Sequence, residues 1–135
     1  MDLSELIQKA QEAKEKAYVP YSGFHVGAAL LCKDGTIFTG CNIENSAYGP
    51  TNCAERTAIF KAVSEGYREF QVIAIISDSK ELTSPCGVCR QVMAEFCEPD
   101  FEVIMLSCDG KYKAVTLEEL LPYAFSLTEE QLATA

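Results

Sequence analysis

The chain has 135 residues, of which 48% are hydrophobic and 23% charged, a size and balance that predict one folded domain over residues 1–135 with a frayed tail from about residue 127. No apolar run approaches the ~18–20 residues that span a bilayer, and the charged, amphipathic start lacks the apolar stretch of a secretory signal, so a cytoplasmic protein without a membrane partner is expected. The net charge of −9, with lysines scattered and only Arg56, Arg68 and Arg90 as arginines, argues against a nucleic-acid partner and suits a small neutral or cationic substrate.

Apolar residues at Leu3, Leu6, Ile7, Ala10, Ala13 and Ala17 predict a helix over 3–17, closed before Pro20. "FHVGAALLC" and "TIFTGCNIE", separated by "KDG", predict a β-hairpin. A Gly-Pro loop follows, and then "CAERTAIFKAVSEG", a helix with Gly66 closing it and a possible capping box from Asn52 to Glu55. "FQVIAIISD" is a strand covered on both faces. "SPCGVCRQVMAEFC" predicts a helix with Ser84 as N-cap and Pro85 in its first position. "FEVIMLSC" and "DGKYKAVT" predict two antiparallel strands, since the turn between them is too short for a crossover. A short helix at "LEELLP" ends the series. The expected fold is a three-layer α/β/α domain with a mixed five-stranded sheet.

Seven cysteines are many for an intracellular chain, where disulfides are rare and clustered cysteines more often bind metal or do chemistry. Cys32, Cys41, Cys97 and Cys108 fall in apolar surroundings and read as small buried hydrophobes. Cys86 and Cys89 form a C-x-x-C pair at a helix start, where unpaired N–H groups and the helix dipole favour thiolate. That pair alone suits either a redox site or half of a metal site. Cys53, at another predicted helix start, favours metal, because zinc takes tetrahedral sulfur or nitrogen ligands. A structural zinc site needs a fourth protein ligand. Cys97, eight residues past Cys89 and thus ~12 Å along the same helix, is too far; Cys41 and His25 stay open as fourth ligands. Three protein ligands with an open position would be the catalytic pattern. Glu55 shares that site only if Cys53 lies at the helix end with non-helical dihedrals, because i and i+2 on a regular helix diverge.

"C-A-E" followed by "P-C-x-x-C" resembles the zinc-dependent cytidine deaminases. "YVPYSGFHVGAAL", "GCNIENSAYGPTNCAERTAIFKAV" and "SPCGVCRQVMAEF" extend the resemblance collinearly from about Tyr18 to Phe125. Cys53 stands where many zinc deaminases carry histidine, which places the chain with the short three-cysteine branch, typically homotetrameric. The resemblance implies a cytidine deaminase-like fold and one zinc ion per chain on Cys53, Cys86, Cys89 and water. It implies Glu55 as the proton shuttle of hydrolytic deamination, which turns cytidine or deoxycytidine into uridine or deoxyuridine plus ammonia in pyrimidine salvage.

Further roles follow from the same resemblance. Arg56 would hydrogen-bond ligand sulfurs and offset the charge of three thiolates. Asn42 and Glu44, on one face at a strand end, would hold the ribose 3′-hydroxyl. Phe24 would flank the pyrimidine ring, and the Ala54 backbone would contact the base. Tyr48 and Phe125 would reach a neighbouring subunit's site. The nearest alternative is a deaminase of the same fold acting on a cytosine-containing antibiotic such as blasticidin S. A nucleic-acid-editing deaminase, a structural zinc-binding interaction domain and a redox C-x-x-C protein are further alternatives.

Overall fold

In the computed structural model, which describes residues 2–127, the element order is α1 (Leu3–Lys14), β1 (Val26–Cys32), β2 (Ile37–Cys41), α2 (Ala54–Ser64), β3 (Phe70–Ser77), α3 (Gly87–Phe96), β4 (Glu102–Leu106), β5 (Tyr112–Thr116) and α4 (Leu117–Leu120). Of the tail expected from about residue 127, residues 128–135 lie outside the described residues. The five strands form one mixed sheet in the order β2-β1-β3-β4-β5. β1 runs antiparallel to β2 and β3, β4 runs antiparallel to β5, and β3 and β4 are parallel. The parallel pair is joined through α3, while tight turns join the two hairpins, as connection length requires.

The two-residue period of the strands divides the core between two faces. Leu6 and Ala10 of α1 cover one face, against Ala29, Leu31, Val72, Ala74 and Ile76. α2 and α3 cover the other, where Ala58, Ile59, Ala62 and Met93 pack with Ala28, Leu30, Ile73, Ile75 and Val103. β3 is buried on both sides over almost its whole length, which accounts for its unbroken apolar run. The register pairs Val26 with Ser77 and Gly27 with Cys41, so the segments before β1, after β2 and after β3 all emerge at the same end of the sheet.

Several boundaries differ from the sequence expectation. α1 stops at Lys14 because Tyr18 is needed in a small ladder: its N–H donates to Asn42 O at 3.0 Å and its carbonyl accepts from Glu44 N–H at 2.9 Å. α3 begins at Gly87, with Cys86 rather than Ser84 as its N-cap, so Pro85 precedes the helix. The Ser84 hydroxyl is instead taken by Arg90, whose Nη2 donates to it at 2.7 Å. The capping box expected at Asn52 and Glu55 is absent: the Asn52 N–H donates to Ile43 O at 2.9 Å, which leaves nothing for Glu55 to cap. A capping box does form at α4, where Thr116 and Glu119 bond reciprocally.

α2 lies unusually close to β2 at Gly40. A Cβ there would stand 2.5 Å from Ala54 O and 2.5 Å from Ala58 N, both backbone atoms. Only a residue without a side chain lets the start of α2 settle at this height. Gly40→Ala therefore forces α2 away from the sheet and should destabilise the chain by about 1–3 kcal/mol, the usual cost of overpacking. Denaturant unfolding checks this, and an unchanged midpoint would contradict the close approach.

Candidate metal centre and active site

Two helices begin at cysteines. Cys53 is the N-cap of α2 and Cys86 the N-cap of α3; both have extended backbones (φ −77°, ψ 156° and φ −69°, ψ 169°), and neither helix start has a side-chain cap. These are positions where serine, threonine, asparagine or aspartate normally satisfies the first N–H groups. Here the free amide ends and positive poles of both helices accompany thiols. Cys89, buried in the first turn of α3, supplies the third sulfur. The loop that delivers Cys86 is strapped to the sheet: Thr83 N–H and hydroxyl both donate to Leu106 O, at 3.0 and 2.7 Å.

The sulfurs of Cys53, Cys86 and Cys89 lie within 4.8 Å of one another. Cys53 Sγ is 3.9 Å from Cys86 Sγ, which is 3.4 Å from Cys89 Sγ. Zinc–sulfur bonds of about 2.3 Å set tetrahedral sulfurs about 3.8 Å apart, so the trio fits zinc in donor type and in spacing. Among the described residues no fourth cysteine, histidine or carboxylate joins the cluster. His25 is engaged elsewhere: its Nδ1 lies 2.8 Å from Asp78 Oδ2, and Lys14 Nζ reaches the other oxygen of Asp78 at 3.2 Å.

The extended backbone of Cys53 turns its side chain to the same region as that of Glu55, which a helical Cys53 could not do. Glu55 is 4% exposed. Burial, reinforced by the nearby Cys53 thiolate, pushes its carboxyl up to about 7. The neighbouring Cys89 thiol and the charge and hydrogen bond of Arg56 lower Cys53 to about 5 against the effect of its burial. Cys89, beside Cys53 and buried, is held well above the ordinary thiol range. Arg56 Nη2 donates to Cys53 Sγ at 3.2 Å, while its buried Nε has no partner among the described residues.

Asn42 and Glu44 organise the segment that carries Phe24. Asn42 Nδ2 donates to Phe24 O at 2.8 Å, and its Oδ1 accepts from Val26 N–H at 2.9 Å. Glu44 Oε1 accepts from the Tyr21 and Ser22 N–H groups at 3.0 and 3.2 Å, and Oε2 accepts from the Ser22 hydroxyl. These bonds, the Ser22 hydroxyl foremost, hold the Glu44 carboxyl below its ordinary value. Ser22 lies in a turn with Gly23, which has φ +68°. Phe24 is 42% exposed beside this latch, whereas Ala54, the first residue of α2, is fully buried. Tyr48 and Phe125 are 91% and 67% exposed. Phe125 borders a cavity of about 760 Å³ with Phe96, Cys97 and Leu121, and none of the three clustered cysteines lines it.

Of the cysteines read as buried hydrophobes, only Cys32 is fully buried. Cys41 and Cys97 are half-buried because they close β2 and α3, where cover thins; Cys108 is exposed because it opens the β4–β5 turn.

The family model described as "Cytidine and deoxycytidylate deaminase zinc-binding region" matches residues 1–105. A cytidine deaminase of Sporosarcina psychrophila is 56% identical over 126 residues, covering 93% of each chain. A blasticidin-S deaminase of Bacillus cereus is 34% identical over 130 residues, covering 89% of this chain and 91% of its own. The crystal structure of cytidine deaminase from Burkholderia pseudomallei superposes with a TM-score of 0.90 at 49% identity, covering 93% of this chain and all of that one. With the family model matched over most of its length and the cysteine trio arranged for zinc, this chain belongs to the cytidine and deoxycytidylate deaminase family.

Proposed function

We propose that the protein is a zinc-dependent cytidine deaminase that converts cytidine and deoxycytidine to uridine and deoxyuridine with release of ammonia. The observation that carries this reading is the convergence of three cysteines, with no fourth protein ligand among the described residues, beside one deeply buried glutamate. Higher identity to relatives named cytidine deaminase than to the blasticidin-S deaminase favours the nucleoside over the antibiotic.

Zinc held by Cys53, Cys86 and Cys89 supplies, when bound, a water acidic enough to react near neutral pH. Glu55 would take a proton from the attacking water and deliver it to N3 of the cytosine ring as oxygen adds at C4. The regenerated carboxylate would then take the proton of the new C4 hydroxyl and pass it to the departing amino group, so that ammonia leaves as the C4 carbonyl forms. Each transfer leaves it in the state the next one needs, and a carboxyl raised toward neutrality by burial suits both directions. Three thiolates on a divalent cation leave a formal charge of about −1, which weakens metal acidity. Arg56, bonded to Cys53 Sγ, and the two helix starts offset that charge. Phe24 flanks the base, the Ala54 backbone contacts it, and Asn42 with Glu44 addresses the ribose 3′-hydroxyl. Glu44 receives that hydroxyl with the Tyr21 and Ser22 N–H groups already on Oε1 and the Ser22 hydroxyl on Oε2, so the loop and the sugar share one carboxylate.

The protein acts as a cytoplasmic homotetramer in pyrimidine salvage, with Tyr48 and Phe125 completing neighbouring sites; their high exposure in the single chain supports this. Light scattering is expected to give a four-chain particle, and a monomer active at the same rate would contradict it.

Ultraviolet-monitored deamination of cytidine, deoxycytidine, CMP and blasticidin S, together with zinc content, tests the function. Wild type and Glu55→Gln should each hold about one zinc per chain, and only wild type should turn over nucleosides, with a loss of at least about 10²–10⁴-fold in the variant. For wild type, kcat/KM should fall as pH drops through the Glu55 pKa, because protonation removes the base. That acid limb should lie above the ordinary carboxylate range near 4.3. Wild-type turnover in Glu55→Gln would overturn the mechanism. Arg56→Ala should keep the fold by circular dichroism but bind zinc about 10–100-fold more weakly. Unchanged zinc affinity and turnover would remove Arg56 from the account.

A further inference from the structure

Arg90 lies one residue past Cys89 and is half-buried. Its guanidinium donates three hydrogen bonds to two separate segments. Nε reaches Pro85 O at 2.8 Å and Nη2 reaches Ser84 Oγ at 2.7 Å, both in the loop that delivers Cys86. Nη1 reaches Leu120 O at 2.7 Å, at the end of α4. The next residue, Gln91, donates through Nε2 to Phe125 O at 2.9 Å. One turn of α3 therefore grips both the peptide ahead of a clustered cysteine and the carbonyls of the C-terminal segment.

Each acceptor needs such a donor. Pro85 has no N–H, so the backbone of this residue can be held only through its carbonyl. Cys86 starts α3 with no side-chain cap, which leaves nothing inside the helix to fix the loop before it. Leu120 O is a carbonyl at a helix end, where no further helical N–H follows. A planar guanidinium satisfies three acceptors in fixed directions, and a lysine ammonium does not reproduce that fork.

We propose that Arg90 is a positioning residue that couples the metal site to the segment 120–125, so that zinc on Cys86 and Cys89 and docking of the Phe125-bearing segment strengthen one another. The inference rests on the reading of Cys53, Cys86 and Cys89 as zinc ligands. Linkage makes the effect reciprocal: whatever factor the docked segment adds to zinc affinity, zinc adds to docking.

The test measures zinc affinity by competition with a chelating dye, and amide hydrogen exchange over residues 117–126 with and without zinc, in wild type, Arg90→Gln, Arg90→Lys and Ser84→Ala. In wild type, zinc removal should speed exchange in this segment. Arg90→Gln should weaken zinc binding about tenfold and make the segment's exchange the same with and without zinc. Arg90→Lys keeps the charge and should not restore the zinc dependence. Ser84→Ala removes one acceptor and should shift both readouts in the same direction by less. Unchanged zinc affinity in Arg90→Gln, or wild-type exchange indifferent to zinc, would overturn the proposal. If Arg90→Gln does not fold, Ser84→Ala decides, and wild-type values for both readouts would overturn it. Cytidine turnover on the same wild-type sample tests the functional reading separately. Zinc-loaded protein without turnover would overturn that reading, while affinity and exchange would still decide the role of Arg90.

Discussion

The separation between two helix starts is the constraint on which the site depends. α2 and α3 descend from different strands, and each begins at a cysteine with an extended backbone. Cys53 Sγ and Cys86 Sγ lie 3.9 Å apart, a zinc-spanning distance, because α2 rests directly on Gly40 and the Cys86 loop is strapped to Leu106. A shift of either helix by about 1 Å would spoil tetrahedral geometry, since ligand distances are held to within about 0.2 Å. The close approach of α2 to Gly40 and the geometry of the cysteine site are thus linked.

The same placement creates an electrostatic conflict. Thiolates, a carboxyl at the start of α2 and a net charge of −9 all oppose further negative charge. The helix poles and Arg56 counter it locally. Burial of Glu55 adds to the conflict and raises its carboxyl toward neutrality. Around this centre, the side chains of Asn42 and Glu44 spend hydrogen bonds on the chain itself, shaping the segment of Tyr21, Ser22 and Phe24.

Element order, the mixed sheet and its two hairpins were readable from apolar periodicity and turn residues, because both faces of the sheet are covered and the connections are short. The cysteine trio was readable because its motif residues sit at helix starts, which sequence punctuation marks well. Capping was not. Asn52 and Glu55 have the spacing of a capping box, yet Ile43 claims the Asn52 amide, while Thr116 and Glu119 do form one. Ser84 has the chemistry of an N-cap, and Arg90, far off in direction though near in sequence, takes it. Such choices turn on tertiary partners. The exposure of Cys108 was missed for a related reason, since a strand-like run does not reveal where its turn begins.

X-ray absorption at the zinc edge tests the central claim most directly. For purified wild-type protein, the account predicts three sulfurs at about 2.3 Å and one light atom at about 2.0 Å, with no imidazole scattering. Four sulfurs, or a histidine shell, would mean a closed or different site and would contradict it.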